Sequence, residues 1–265
     1  MNSEMNSLIQ RETAVHGEAW HSIHGGYFSD PVVAAPLVSK VAALAAESRA
    51  ERIIDLGGGN GYMLGQLKAA GIGAGVKLIN LESSEPQILA AARACFDCIR
   101  GSVDAFSRSD FGAEDTRHLF TMRSVLHYFG KEGLLPVIRH VRRQTRPGEF
   151  WVHQTASFQR VADAGCLNTI YSMMKTSKWY PTTGVMKNYL VNEGWNVLEV
   201  LPCEPLPLTS ASLAMRYGLS VNDVADIREQ LAADVQVPDN VLTFTDNTFC
   251  AYLHYWLYVC TPSIR

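Results

Sequence analysis

From Glu51 onward, short apolar blocks alternate with longer stretches of helical periodicity. Glu51–Leu56 (E-R-I-I-D-L), Val76–Leu81, Cys98–Gly101, His118–Met122 and Glu149–Thr155 are too short for core helices and predict buried strands. Gly61–Ala70, Glu85–Phe96 and Lys131–Arg146 predict helices between them, the last stopped by Pro147-Gly148. Strands alternating with helices of this length imply βαβ units and an α/β fold with a doubly wound, mostly parallel sheet. Residues 1–50 precede that rhythm as a helical extension, with a break at His24-Gly25-Gly26 and a helix over Pro31–Ser48. After it come a helix at Val185–Glu193 closed by Gly194, a strand at Trp195–Leu201 and a long strand at Cys250–Cys260. The last two strands have no crossover-length helix between them, which predicts an antiparallel pair closing the sheet. An inserted lobe over about 205–248 includes the amphipathic stretch Val221–Ala233. The chain thus divides into an extension, 1–50, and one α/β domain, 51–265.

A chain of 265 residues with 47% apolar and 18% charged positions has ample material for a core, and intrinsic disorder is excluded. The 23 basic and 26 acidic residues leave a net charge of −3, with no basic excess to meet a phosphate backbone. Nucleic acid is not an expected partner. Met1–Glu12 carries Glu4, Arg11 and Glu12 and lacks the apolar run of a signal peptide. Apolar stretches such as Ala251–Thr261 reach about half of a bilayer span. The expectation is a soluble, cytoplasmic protein without a membrane partner. Cys95 and Cys98 form a C-x-x-C at a helix end rather than a helix N-terminus, which favours reduced structural thiols over a redox or zinc pair.

The first strand runs into Asp55-Leu56-Gly57-Gly58-Gly59-Asn60-Gly61, and a helix follows at once. Glycines there permit close backbone approach, and a helix N-terminus supplies N–H donors. The pattern is D-x-G-x-G-x-G; Tyr62 and Leu64 exclude the dinucleotide fingerprint, and no Gly-Lys-Ser/Thr follows as a phosphate loop requires. Glu82 closes the second strand 21 residues beyond Gly61, where a carboxylate can hold both hydroxyls of a ribose. A nucleoside-containing ligand is therefore expected.

Over Arg52–Ser157 these residues resemble the class I S-adenosylmethionine-dependent methyltransferases, closest in wording to the small-molecule O-methyltransferases. The resemblance implies a seven-stranded, Rossmann-like sheet with an antiparallel last strand, and S-adenosyl-L-methionine as cofactor. It assigns cofactor contacts to Asp55, Gly57, Gly58, Gly59, Gly61 and Glu82. The family's Gly-Asp-aromatic stretch near adenine looks like Gly101–Phe106, which offers Asp104 and Phe106, with Ser102 and Val103 inserted before Asp104. After the fourth strand, Arg123 matches the family's cofactor-contacting basic residue, and His127 its general base, followed here by Tyr128-Phe129 where relatives often have Asp-Trp. His127 is either that base or a packing histidine.

Methyl transfer is an in-line displacement, so the site mainly orients the acceptor, removes a hydroxyl proton and excludes water. No carboxylate cluster follows the fourth strand, which points to metal-independent transfer to a small-molecule hydroxyl. Transfer to nitrogen or carbon, a cyclase-like scaffold and a regulatory cofactor-binding protein remain alternatives, and a dehydrogenase is a weaker rival. His16, Trp20, His21, His24, Tyr27 and Phe28 form an aromatic lid, a metal site or plain packing. His153 at a strand end, and Met173, Met174, Trp179 and Tyr180, either line the acceptor pocket or belong to the core. Arg139, Arg142, Arg143 and Arg146 read as a solvated helix face.

Overall fold

The computed structural model describes residues 23–73, 75–94, 96–233, 240–245 and 247–263. His16, Trp20, His21 and Cys95 lie outside the described residues. Strands β1 (Arg52–Leu56), β2 (Lys77–Glu82), β3 (Asp97–Arg100), β4 (His118–Arg123), β5 (Phe150–Ala156) and β6 (Trp195–Pro202) follow the expected positions closely. The insert contributes β7 (Leu206–Thr209), β8 (Leu242–Thr245) and β9 (Thr248–Leu253), and β10 (Tyr255–Pro262) closes the chain. One sheet has the order β3-β2-β1-β4-β5-β10-β6, and β10 runs antiparallel to both β5 and β6. The other strands pair in parallel, and the order reverses at β1, so the carboxyl ends of β1 and β4 part to leave a crevice.

Helices cover both faces, which is why the strands read as continuous apolar runs. On one face α1 (Pro31–Ser48) and α2 (Tyr62–Ala69) pack over Ile53, Leu119 and Val152. On the other, α4 (Gly130–Gln144) and α6 (Thr183–Asn192) cover Ile54, Phe120 and Trp151. Consecutive Ile53 and Ile54 thus serve opposite cores, as the period of two dictates. Helix α3 (Glu85–Arg93) links β2 to β3. By length and composition α1 is apolar enough to cross a membrane, contrary to the expectation that apolar stretches reach only half that span. Its apolar face instead meets the sheet through Ala34, Leu37, Val41 and Ala45.

The insert is a three-stranded antiparallel sheet, order β7-β9-β8, with α7 (Ser210–Tyr217) and α8 (Val221–Ala232). Together with α5 (Val161–Met173), Tyr27 and Phe28 it buries a third core. The long strand expected at Cys250–Cys260 is two strands in two sheets, parted at His254. Phe249, Ala251, Leu253, Tyr255 and Leu257 keep one buried phase across the break, so alternation could not reveal it. Helix α5 had no signal either: Asp163, Ala164, Cys166, Leu167, Ile170 and Tyr171 are buried, which leaves a weak polar stripe.

At the amino ends of β4 and β5, away from the crevice, Arg108 Nη1 and Nη2 donate to Glu149 Oε2 at 2.8 Å and Oε1 at 2.7 Å. His118 N and Arg146 N donate to the same carboxylate, each at 2.8 Å. Removing one member strands the other in the interior. Glu149→Ala is expected to cost about 3–5 kcal/mol of unfolding free energy, measured by urea titration. A loss below 1 kcal/mol would show that water reaches this pair.

Candidate active site

The glycine turn is held by the end of β2. Gly57 N donates to Leu81 O at 2.8 Å, and Asn80 Nδ2 donates to Gly59 O at 2.8 Å. Glu82 Oε2 accepts from Gly59 N at 2.9 Å, while its Oε1 accepts from Ser83 N and Ser84 N, each at 2.8 Å. Gly57 and Gly59 have φ of +72° and +56°, a region that side chains disfavour. Gly58 is required for a different reason: a Cβ there would lie 2.3 Å from Asn80 Oδ1 and 2.5 Å from Asp55 Oδ2.

Asp55 sits beneath this turn, 1% exposed, and neither carboxylate oxygen has a hydrogen-bond partner among the described residues. Burial first, then the Glu82 charge, pushes its pKa up to about 7, with Arg123 opposing. Arg123 is nearly enclosed: Nε donates to Gln154 Oε1 and Nη1 to Phe28 O, both at 2.9 Å. Its guanidinium carbon lies 5.4 Å from the Phe28 ring centroid and 6.0 Å from those of Tyr27 and Tyr62. Nη2 is buried with no partner among the described residues. An unpaired carboxylate and an unpaired guanidinium nitrogen at one crevice suit a ligand carrying both an ammonium and a carboxylate.

One cavity joins this turn to a second set of side chains. Asp55, Gly57, Gly58, Gly59, Glu82, Arg123, His127, His24, Phe28 and Tyr180 all line it, and they are the sequence-predicted residues that the structure brings together. His127 is buried in the turn after β4, its ring 4.2 Å from that of Tyr128 and stacked at 5.5 Å on that of Tyr180. Ser124 holds a φ of 61° at the end of β4, and its Oγ lies 2.6 Å from the Tyr255 hydroxyl.

Other predicted residues lie elsewhere. Gly61 faces α3, where a Cβ would meet the Phe96 ring at 2.9 Å, so it is a packing glycine rather than part of the cavity lining. Phe106 is buried against Phe111, Phe120 and His140, and Asp104 bonds to Ser102; Val103 takes the lining position instead. Tyr27 stands behind Phe28, stacked on Tyr255 with its hydroxyl donating to Glu204 O. His153 lies within β5, fully buried between Trp151 and Tyr258, with burial holding its pKa down to about 3. Met173 lines a separate shallow depression between α5 and α8, and Met174 is core. Trp179 packs into the sheet core, its backbone N donating to His127 O at 3.3 Å. Their strand or loop phase points them away from the crevice.

Sequence reasoning missed Tyr62, Gln87, Ser124, Tyr171, Lys178, Arg216 and Tyr255, which also line the cavity. The aromatic content around Tyr180 and the lid reading of His24 and Phe28 signalled parts of the lining, and all three line it. The expected solvated arginine face is partly engaged: Arg139 pairs with Glu193, and Arg142 donates to Gly194 O at 2.8 Å. Among the described residues no three His, Cys, Asp or Glu side chains are grouped to hold a metal ion, and Cys98 is a free thiol.

Gly58→Ala is expected to destabilise the fold by about 1–3 kcal/mol through overlap, whereas Gly59→Ala costs about 1–2 kcal/mol through its left-handed backbone alone. Denaturant titration combined with a second substitution separates the two: Asn80→Ala removes one of the two overlaps and should relieve Gly58→Ala in part, whereas its loss of the bond to Gly59 O should simply add to Gly59→Ala. Asp55 gives a pH signature. Its folded pKa lies above the unfolded value, so the folded state holds the extra proton between about pH 4 and 7, and stability falls as pH rises through that window. Thermal unfolding of Asp55→Asn should lack this decline. An equal slope in both proteins would show that Asp55 is ionised when folded.

No family model and no curated protein matches the sequence. Solved structures do match. A putative methyltransferase from Bacillus halodurans superimposes with a TM-score of 0.67 at 12% identity, over 85% of this chain and 100% of that one. A SAM-dependent methyltransferase from Geobacter sulfurreducens, in complex with S-adenosyl-L-homocysteine, gives 0.50 at 14% identity, over 86% and 90%. The [4+2]-cyclase SpnF gives 0.54 at 13% identity, over 86% and 82%. The chain has the seven-stranded fold of the class I S-adenosylmethionine-dependent methyltransferases.

Proposed function

We propose that the protein binds S-adenosyl-L-methionine at the glycine turn and transfers its methyl group, without a metal ion, to a hydroxyl of a small molecule. The observation that carries this reading is the single cavity running from the turn and Glu82, past Asp55 and Arg123, to His127 and a wall of tyrosines. A Geobacter sulfurreducens protein of this fold holds the demethylated cofactor, which supports the same ligand here.

Glu82, at the end of β2 and already oriented by three backbone donors, accepts from the ribose hydroxyls. Asp55 takes the ammonium of the amino-acid end, and Arg123 Nη2 its carboxylate. Gly101, Ser102 and Val103 border the base. The cofactor supplies an activated methyl group on a sulfonium sulfur. An acceptor oxygen held beside His127 would take that methyl group, with sulfur keeping the electron pair of the broken bond. His127 takes the hydroxyl proton. Phe28, Tyr180 and Tyr255 keep water out. Since the fold also serves a cyclase, release of demethylated cofactor is the deciding measurement.

Calorimetric titration should show cofactor binding that weakens by a factor of ten or more in Glu82→Ala, which loses charge-assisted bonds worth about 1.5–3 kcal/mol each. Binding should tighten as pH rises through about 7, because the cationic end needs Asp55 ionised. With hydroxylated acceptors, turnover should survive chelation, and His127→Ala should lower kcat by roughly 10²–10⁴ with cofactor affinity nearly constant. Cofactor binding without turnover on any acceptor would favour the scaffold reading. No cofactor binding would refute both.

A further inference from the structure

Glu82 has little acceptor capacity left. Its Oε1 takes Ser83 N and Ser84 N, each at 2.8 Å, with the Ser83 hydroxyl at 3.3 Å, and its Oε2 takes Gly59 N at 2.9 Å. An ionised carboxylate offers about four lone-pair positions, so the three backbone donors leave about one, on Oε2 beside Gly59. A ribose presents two adjacent hydroxyls. One of them finds that position, and the other must share it or bond to a further side chain.

Helix α3 begins three residues after Glu82, and Gln87 stands in its first turn. Gln87 is 9% exposed, and it lines the cavity together with Glu82 and Gly59. Its Oε1 lies 3.8 Å from the point that a Cβ on Gly59 would occupy. Gly59 is thus flanked by the Glu82 carboxylate at its N–H and by the Gln87 carboxamide at its open side. Among the described residues that carboxamide makes no hydrogen bond. Buried amides are seldom left so, and one that borders a cavity is satisfied by what fills the cavity.

The other polar groups at this edge are less suited. Asn60 Oδ1 accepts from Tyr62 N at 3.1 Å, and the Ser83 hydroxyl is turned to Glu82. Ser84 Oγ has no partner among the described residues, but it is wholly enclosed, and the Gln87 carboxamide is not.

We propose that the ribose diol is shared between two side chains, Glu82 Oε2 holding one hydroxyl and the Gln87 carboxamide the other. The proposal deepens the cofactor reading of the preceding section and rests on it. A carboxamide both donates and accepts, as a hydroxyl does, so either orientation of the amide serves. It also adds no negative charge to a crevice that already holds Asp55 and Glu82.

The test titrates four ligands by calorimetry into the parent, Gln87→Met and Gln87→Glu: S-adenosylhomocysteine, its 2′-deoxy and 3′-deoxy forms, and S-inosylhomocysteine. In the parent each deoxy ligand should bind several-fold more weakly than S-adenosylhomocysteine. Gln87→Met keeps the length of the side chain and should weaken S-adenosylhomocysteine by about three- to tenfold. One deoxy ligand, the one without the hydroxyl that Gln87 holds, should then bind that variant as well as S-adenosylhomocysteine does, while the other keeps its parent penalty. Gln87→Glu, which leaves an acceptor in place, should retain both penalties. Ligand-free Gln87→Met should unfold at the parent temperature, since the amide supports no contact within the protein. Two penalties that both survive Gln87→Met, or that shrink together, would overturn the proposal. So would a Gln87→Met protein whose only loss is its preference for adenine over hypoxanthine, which would put Gln87 on the base. A parent that binds no S-adenosylhomocysteine would overturn the cofactor reading as well, whereas the other adverse outcomes leave that reading intact.

Discussion

The site depends on one enclosed carboxylate. Asp55 ends the central strand with both oxygens unpaired and a glycine turn folded over it so closely that Gly58 has no room for a methyl group. An ionised group held this way is costly, and the raised pKa is how the free protein avoids part of that cost. The elements around it follow from this constraint. Asn80 and Glu82, two residues apart on β2, hold the turn in place by its own carbonyl and amide, and Arg123 approaches from β4 as the counter-charge. The three acidic and basic groups come from the carboxyl ends of three neighbouring strands, β1, β2 and β4, where the sheet order reverses.

The strand ends opposite the crevice are treated differently. There the Arg108–Glu149 pair satisfies its charges within the protein, with backbone donors completing the carboxylate. A fully satisfied pair has little left to offer a ligand, whereas Asp55 and Arg123 keep bonding capacity in reserve. Such incompletely paired charges in a cleft are the physical sign of a binding site, since a structural role alone would favour pairing them.

Much of this was legible in the chain because the signals are local. Glycine spacing after an apolar run, and an acid at the end of the next strand, are short-range consequences of a turn and a pleat, so Asp55, Gly57, Gly58, Gly59 and Glu82 were found with the sheet that carries them. Gly61 belongs to the same turn, yet its side toward Phe96 could be told from its side toward the crevice only in three dimensions. His153 and Trp179 have the right chemistry in the wrong phase, one inside β5 and one turned toward the sheet core. The wall of the cavity opposite the glycine turn left almost no trace. Tyr171, Lys178, Arg216 and Tyr255 come from four separate segments, and a period read along one segment carries nothing about its distance from another. The split at His254 stayed hidden for a related reason: a chain can change sheets without changing its buried phase.

That split explains how the insert reaches the chemistry. Strand β10 is clamped antiparallel between β5 and β6, so its first residue, Tyr255, is fixed relative to the main sheet and meets Ser124 at the end of β4. Two residues earlier, Leu253 is already paired with Leu206 in the small sheet. The insert is therefore tied to the main sheet at this turn and again after β6, where Cys203 N donates to Tyr255 O at 2.9 Å, and its leucines and Arg216 line the cavity without contributing to the glycine turn. Changes in β7 and α7 can reshape that wall of the cavity while Asp55, Asn80, Glu82 and Arg123 keep their geometry, because none of those four takes a hydrogen bond from the insert among the described residues. The glycine-turn half of the cavity is thus fixed by the order of the strands, and the opposite wall is built in part by an element the sheet carries but does not need.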